Sequence, residues 1–304
     1  MNNPGNEFSF RGIVAAGTLL LPILAPSAAV AADYKPLAPL KLTKCQVEVG
    51  IEKPFKVVHV SDSHIVRVDN RDTEEIRAYA LKRSYMERKP GCYYFGDHFW
   101  GEHYLEEAVG LARQEGAVIV HTGDMVTYYG PASLDYAGRR LASDDFIATV
   151  GNHEYWLAEN RKDVSANESV CLSGLEKAFG KGVKSYEREI NGVVFFVFNN
   201  ASQLVTKETV DAFERAVAKK KPLVLVCHVP LCTKDIHESA CGWTGGKHDQ
   251  LTVDFVERVR REPLVKAILA GHIHERKESR FSDTAVEFVA DALFNGAAQE
   301  VSFK

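Results

Sequence analysis

The 304-residue sequence lacks three things that would have set its class at once. No C-x-x-C pair occurs among its six cysteines, which removes the usual thiolate zinc spacings. Basic residues are not in excess: the formal net charge is −4 and the pI about 6.3, so the footprint of a nucleic-acid binder is missing. After residue 32 no apolar run is long enough to span a bilayer. Internal repeats and low-complexity linkers are absent as well, so residues 32–304 read as a single domain. At 45% hydrophobic and 26% charged, the composition is that of an ordinary globular chain with material for a large core.

The N-terminus differs from the rest. Arg11 precedes an apolar run from Gly12 to Ala25, followed by small residues up to Ala29-Val30-Ala31. A positive start, a short apolar segment and an A-x-A site describe a secretory signal, and the expectation is a signal peptide over residues 1–31. A short membrane anchor is the other reading, and Pro22 inside a short run counts against it. No Cys near the cleavage point marks a lipoprotein, and no Arg pair marks twin-arginine export. Export to a periplasmic or extracellular space permits disulfides. Cys232 and Cys241 flank a polar loop where one could form, whereas Cys227 sits in an apolar strand as a buried thiol.

Five apolar segments suit buried strands, and each runs out into polar residues. Phe55 to Ser61 leads to Asp62-Ser63-His64. Ala117 to His121 leads to Gly123-Asp124. Phe146 to Val150 leads to Gly151-Asn152-His153-Glu154. Leu223 to Cys227 leads to His228, and Val265 to Ala270 leads to Gly271-His272-Ile273-His274. Gly123, Gly151 and Gly271 are expected to let the backbone turn sharply at the sheet edge. Helical stretches between them indicate an α/β fold, and a hairpin about Asn191-Gly192 indicates mixed sheets. Sites on open α/β sheets lie beyond the carboxyl ends of strands, so strand ends of one sheet are expected to gather these groups. Oxygen and imidazole donors without thiolate suit Mn, Fe or Zn. Seven donors exceed one tetrahedral ion but serve two if a carboxylate bridges.

The ordered set DxH, GD, GNH-Glu, His and GHxH resembles the calcineurin-like metallophosphoesterases. The resemblance runs from Asp62 to His274 and implies a four-layer αββα sandwich of two mixed β-sheets flanked by helices. It implies two metal ions, one held by Asp62, His64 and His274, the other by Asn152, His228 and His272, with Asp124 bridging. It implies hydrolysis of a small phosphoester, monoester or diester, by a metal-activated water, with His153 facing the substrate at the leaving group. Many members carry Asp three residues after the bridging Asp; here that place is Thr127. The purple acid phosphatase branch has a metal-binding Tyr there and lacks the first His; here His64 is present and Tyr128 falls one residue late. A binding or scaffold protein that kept the fold without the chemistry is the alternative, and such a chain is expected to have lost ligands. All seven are present.

Other polar residues have plainer readings. His59 and His121 lie within strands as core histidines, and His98, His103, His237 and His248 lie in polar stretches. Arg67 and Arg71 are placed either to meet a phosphate or to be solvated. The aromatic patch at 93–100 and Trp243 either line a pocket or pack long insertions. The segments 65–104 and 229–249 follow ligand-bearing strand ends and are expected to wall the site. Asn167-Glu168-Ser169 and Asn200-Ala201-Ser202 are glycosylation sequons only in a eukaryotic host.

Overall fold

Strand β1 (Lys41–Val47) opens the fold at the edge of a five-stranded sheet, order β1-β11-β2-β3-β4. Its companions are β2 (Phe55–Val60), β3 (Val118–His121), β4 (Phe146–Ala148) and β11 (Ala297–Phe303). A second sheet of six strands runs β5-β6-β7-β8-β10-β9: β5 (Ser185–Ile190), β6 (Val193–Phe198), β7 (Leu223–Val226), β8 (Val265–Ala270), β9 (Lys277–Arg280) and β10 (Val286–Val289). Both are mixed. The helices are α1 (Glu74–Met86), α2 (His98–Glu115), α3 (Pro131–Ser143), α4 (Val164–Phe179), α5 (Lys207–Val217) and α6 (Gln250–Arg260). This computed structural model describes residues 38–86, 98–143, 145–158, 161–236, 239–242 and 249–304, without the side chains of 81–86, 98, 99 and 143. The expected signal peptide lies outside them, and no helix among them is long and apolar enough to cross a membrane.

Alternation in the central strands builds the layers. Along β6, Val193, Phe195 and Val197 pack between the sheets with Val57, Val120, Ile147 and Val301, while Val194, Phe196 and Phe198 pack outward against Phe213 of α5 and Phe255 of α6. A strand covered on both faces has no place for a polar residue, which is why VVFFVF is unbroken. Helix α2 covers the outer side of β2 and β3. This is the expected αββα arrangement. The hairpin is also as expected, with Asn191 at φ +48° and Gly192 at φ +88°, the two left-handed residues of a primed turn.

The differences lie where periodic signal is weak. β1 reads as an extended lead-in because it is an edge strand, polar on its outer side. Helix α2 begins at His98, not Glu102, and its extra turn brings Gly101 against the Ser63 carbonyl, where a Cβ would overlap the oxygen. One correction bears on function. The five motif-bearing strands are not in one sheet: β2, β3 and β4 belong to the first and β7 and β8 to the second. The carboxyl ends meet because the sheets are tied there: Leu293 N–H donates to Ser61 O at 2.8 Å and His228 Nδ1–H to Thr122 O at 2.8 Å.

Under the segment that follows His228 lies Glu287 of β10, fully buried on the helix side of the sheet. One oxygen accepts the Leu231 N–H at 2.6 Å; the other has no partner among the described residues. Burial pushes its carboxyl up to about 8 from the ordinary 4.5. The folded state therefore keeps a proton that the unfolded chain has lost, and stability falls as pH rises from about 4.5 to about 8. Glu287→Gln keeps an acceptor for Leu231 and has no proton to lose. Its urea midpoint should lie near that of wild type at pH 5 and above it at pH 8; a constant gap between the two proteins would show that Glu287 is not a buried acid.

Candidate metal centre

Three of the five motifs leave their strands through backbone that side chains disfavour. Asp62, His64, Asp124, His272 and His274 have φ of +53°, +47°, +54°, +74° and +54°, a region costing on the order of 1 kcal/mol or more for a residue with a Cβ. Among the described residues only Asn191, Gln203 and Lys220 share it without glycine's freedom. Pairing beyond the strand ends holds these turns. Asp62 and His64 N–H donate to Gly123 and Asp124 carbonyls at 3.0 Å, and Gly271 N–H to His228 O at 2.9 Å. His272 N–H donates to Asp62 Oδ2 at 2.9 Å, joining the sheets directly.

The glycines act in two ways. Gly123 has φ +92° and makes the turn expected of it. Gly151 and Gly271 are absent from the left-handed region; they are needed for closeness. A Cβ on Gly271 would stand 2.6 Å from Asp62 Oδ2, and one on Gly151 2.6 Å from Asp124 N.

All seven expected ligands converge, in two groups. In the first, His274 Nε2 lies 3.1 Å from both Asp62 Oδ1 and His64 Nε2. In the second, His228 Nε2 lies 3.0 Å from Asn152 Oδ1 and 3.2 Å from His272 Nδ1, which is itself 3.0 Å from Asn152 Oδ1. Asp124 Oδ2 stands between, 3.7 Å from His64 Nε2 and 3.4 Å from His228 Nε2. Asp62, His64, Asp124 and His274 each offer a donor atom within 4.8 Å of all the others.

These donors fit cations. His228 Nδ1 faces a carbonyl, so it carries hydrogen, and when the ring is neutral its Nε2 lone pair is aimed at Asn152 Oδ1 and Asp124 Oδ2. Acceptors that close repel unless positive charge lies among them. At His228 a proton meets the same need for positive charge. Burial opposes a charged His228, yet Asp124 and Asp62 together lift it to about 9. Burial likewise opposes the Asp62 carboxylate, but hydrogen bonds from His274 and His64 hold it well below the usual range. His272, with burial and His228 against its charge, is lowered to about 4.

His153 is nearby but differently held. Its N–H donates to Asp124 Oδ1 at 2.8 Å, and Nδ1 donates to Thr127 O at 2.9 Å. Nε2 faces Asp124 Oδ2 at 3.9 Å. Burial drives the ring well below its ordinary pKa. The carboxylate missing at position 127 is thus replaced as an acceptor by that residue's carbonyl, and the Thr127 hydroxyl donates to His64 O at 2.7 Å. Tyr128 is buried against Tyr79, with ring centroids 5.8 Å apart, packed in a cluster that holds none of the seven donors.

The model of the family described as calcineurin-like phosphoesterase matches residues 55–276, from the first residue of β2 to just past His274. The chain belongs to the calcineurin-like phosphoesterases. Among solved structures it is similar to a dimetal phosphatase from Danio rerio at 13% identity, covering 79% of this chain and 88% of that one with a TM-score of 0.47. It is also similar to a 5′-nucleotidase from Candida albicans at 14% identity, covering 84% of this chain and 47% of that one with a TM-score of 0.45. A purple acid phosphatase from yellow lupin gives 14% identity, coverage of 82% and 44%, and a TM-score of 0.41. No curated protein matches. As a calcineurin-like phosphoesterase the chain is a metal-dependent hydrolase of phosphoric esters, with a candidate site in Asp62, His64, Asp124 and His274.

Other expectations about this calcineurin-like phosphoesterase fare unevenly. His59 and His121 are fully buried core residues, lowered by burial to about 4 and about 3. Arg67 pairs with Glu102 and lies over the Tyr136 ring; Arg71 pairs with Asp69 and Asp135. Cys232 and Cys241 are neighbours, Cys232 N–H donating to Cys241 O at 3.0 Å, but no disulfide joins them. Asn167 and Asn200 are buried and hydrogen-bonded, so neither sequon offers an acceptor. His103 pairs with Glu107 on the surface. Trp100 is exposed, while residues 93–97, Trp243, His237, His248 and the side chains of His98 and Phe99 lie outside the described residues.

Two supports were not foreseen. Asn200 Oδ1 accepts from both His228 N and Val229 N at 3.0 Å and fixes that turn. Glu154, fully buried, accepts from Asp124 N at 3.0 Å, Val126 N at 3.0 Å and Gly151 N at 2.6 Å. It clamps the bridging-Asp turn to the GNH turn. Burial and the Asp124 charge push its carboxyl up to about 8, against those three donors. Glu154→Gln must turn an NH₂ toward at least one backbone N–H, since both oxygens are used. The expected loss is about 1–3 kcal/mol of stability, with weaker metal retention on dialysis; a variant with unchanged melting and metal content would show that Glu154 clamps nothing.

Proposed function

We propose that the chain is an exported phosphoric ester hydrolase with two transition-metal ions, Mn, Fe or Zn, acting on a small phosphomonoester or phosphodiester. The observation that carries this reading is the position of Asp124 Oδ2 between the two donor groups. In this reading Asp62, His64 and His274 hold one ion, Asn152, His228 and His272 hold the other, and Asp124 bridges. Bound there, such ions supply a water activated near neutral pH and a clamp on the phosphoryl oxygens. Asp62 and Asp124 bring the negative charge that fixes the cations, and the left-handed turns set donor directions before substrate arrives. His153 Nε2 is the ring atom left to meet the leaving oxygen, because Nδ1 is committed to Thr127. Burial favours the neutral ring, whereas the charge of an incoming phosphate favours the imidazolium that donates a proton. Export rests on the sequence of residues 1–31.

Elemental analysis of protein purified without chelator should approach two transition-metal equivalents, and Asp124→Ala should deplete both. A content near zero that persists after Mn or Zn loading would overturn the reading. Acid assistance is typically worth about 10²–10⁴-fold, and an alkoxide needs it more than a nitrophenolate. His153→Ala should therefore keep both metals, lose most activity on alkyl phosphates and lose clearly less on nitrophenyl phosphate. Loss of metal would make His153 a ligand; equal losses with chemistry rate-limiting would make it a phosphate-positioning group.

A further inference from the structure

The indole of Trp156 lies against the ring of His153, with centroids 3.4 Å apart and planes 31° from each other. Lys162 Nζ also lies over the indole, 4.7 Å from its centroid. Packed by the imidazole and an ammonium, the indole is not a free platform for a substrate. The backbone of Trp156 closes a circuit: Trp156 N–H donates to His153 O at 3.0 Å, and Tyr129 N–H donates to Trp156 O at 2.7 Å. Tyr129 is two residues from Thr127, whose carbonyl holds His153 Nδ1.

The single hydrogen bond to Thr127 fixes one point of the imidazole and leaves it free to rock about that point. Two further surfaces remove this freedom. The His64 ring meets it at 81° with centroids 4.3 Å apart, and the Trp156 indole packs against it with centroids 3.4 Å apart. We infer that Trp156 is a positioning residue, setting the plane of His153 and so the direction of Nε2. This rests on His153 acting in the reaction, as proposed above, but not on whether it acts as an acid or by holding phosphate.

The test is a double-mutant cycle with metal-loaded protein, using Trp156→Ala, His153→Ala and the pair, on an alkyl phosphate and on nitrophenyl phosphate. Misplacing a catalytic group by about 1 Å can cost roughly 10²-fold, so Trp156→Ala should lower kcat on the alkyl ester by about 10-fold or more. KM and metal content should stay near wild type, and Trp156→Phe should restore most of the rate. In the His153→Ala background, Trp156→Ala should cost almost nothing, because no ring is left to orient. If the two losses multiply, or if Trp156→Ala loses rate where His153→Ala does not, Trp156 acts elsewhere and the inference fails. No loss on Trp156→Ala also overturns it. Should the Ala variant not fold, Trp156→Leu keeps apolar bulk without a flat face and carries the same cycle. Failure of the leaving-group split in His153→Ala would sink the acid role alone, since the cycle still reads coupling on either substrate.

Discussion

The structure turns on one electrostatic constraint: acceptor atoms from five strand ends are each brought within about 3–4 Å of a neighbouring one in a buried place, where like partial charges repel strongly unless cations share the space. Nothing in local propensity favours such a gathering. Five donors take left-handed backbone, two glycines are there only because a Cβ would strike a carboxylate oxygen or a backbone nitrogen, and two buried polar side chains serve only to hold turns. The sandwich core supplies the rigidity that makes this strain tolerable. Val57, Val120 and Ile147 face Val197, Val226 and Leu269 across the interior, so the two sheets cannot slide apart where their ends carry the donors.

The donors of the centre are divided between the two sheets. Asp62 and His64 come from the first sheet, His228, His272 and His274 from the second, and each donor group draws on both. Asp124 is at the middle because β3 lies beside β2 and its turn is clamped to that of β4 through Glu154. A scaffold built this way ties metal retention to the relative placement of two sheets, so a change in either core layer is felt at the site.

Motif order made the chemistry legible, and strand composition made the layers legible, because an unbroken run such as VVFFVF has few other uses. What could not be read had one of two causes. The sheet assignment of the motif strands depends on pairing between segments far apart in the chain, which periodicity does not encode. Glu154 and Asn200 work through backbone N–H groups, which have no residue type and so leave no pattern; Glu154 was visible as part of the GNH run, but its three donors were not. The reading of Gly151 and Gly271 as turn residues failed similarly, since close approach and left-handed backbone call for the same residue.

The placement of His153 shows how far a local departure from a family pattern can be absorbed. A side-chain acceptor at position 127 would orient the imidazole and also charge it. A carbonyl orients it without a formal charge, so the ring is left to burial, which favours neutrality. The proton on Nε2 then depends on what else is in the site, and a phosphate is the group that brings the compensating charge. On the proposed acid role of His153, orientation and protonation are thus uncoupled: the first would come from Thr127, His64 and Trp156, the second from the arriving substrate. On that proposal the site would hold its acid geometry at all times but arm it only against an anionic ligand, a form of selectivity that needs no arginine, in keeping with Arg67 and Arg71 being committed to carboxylates elsewhere.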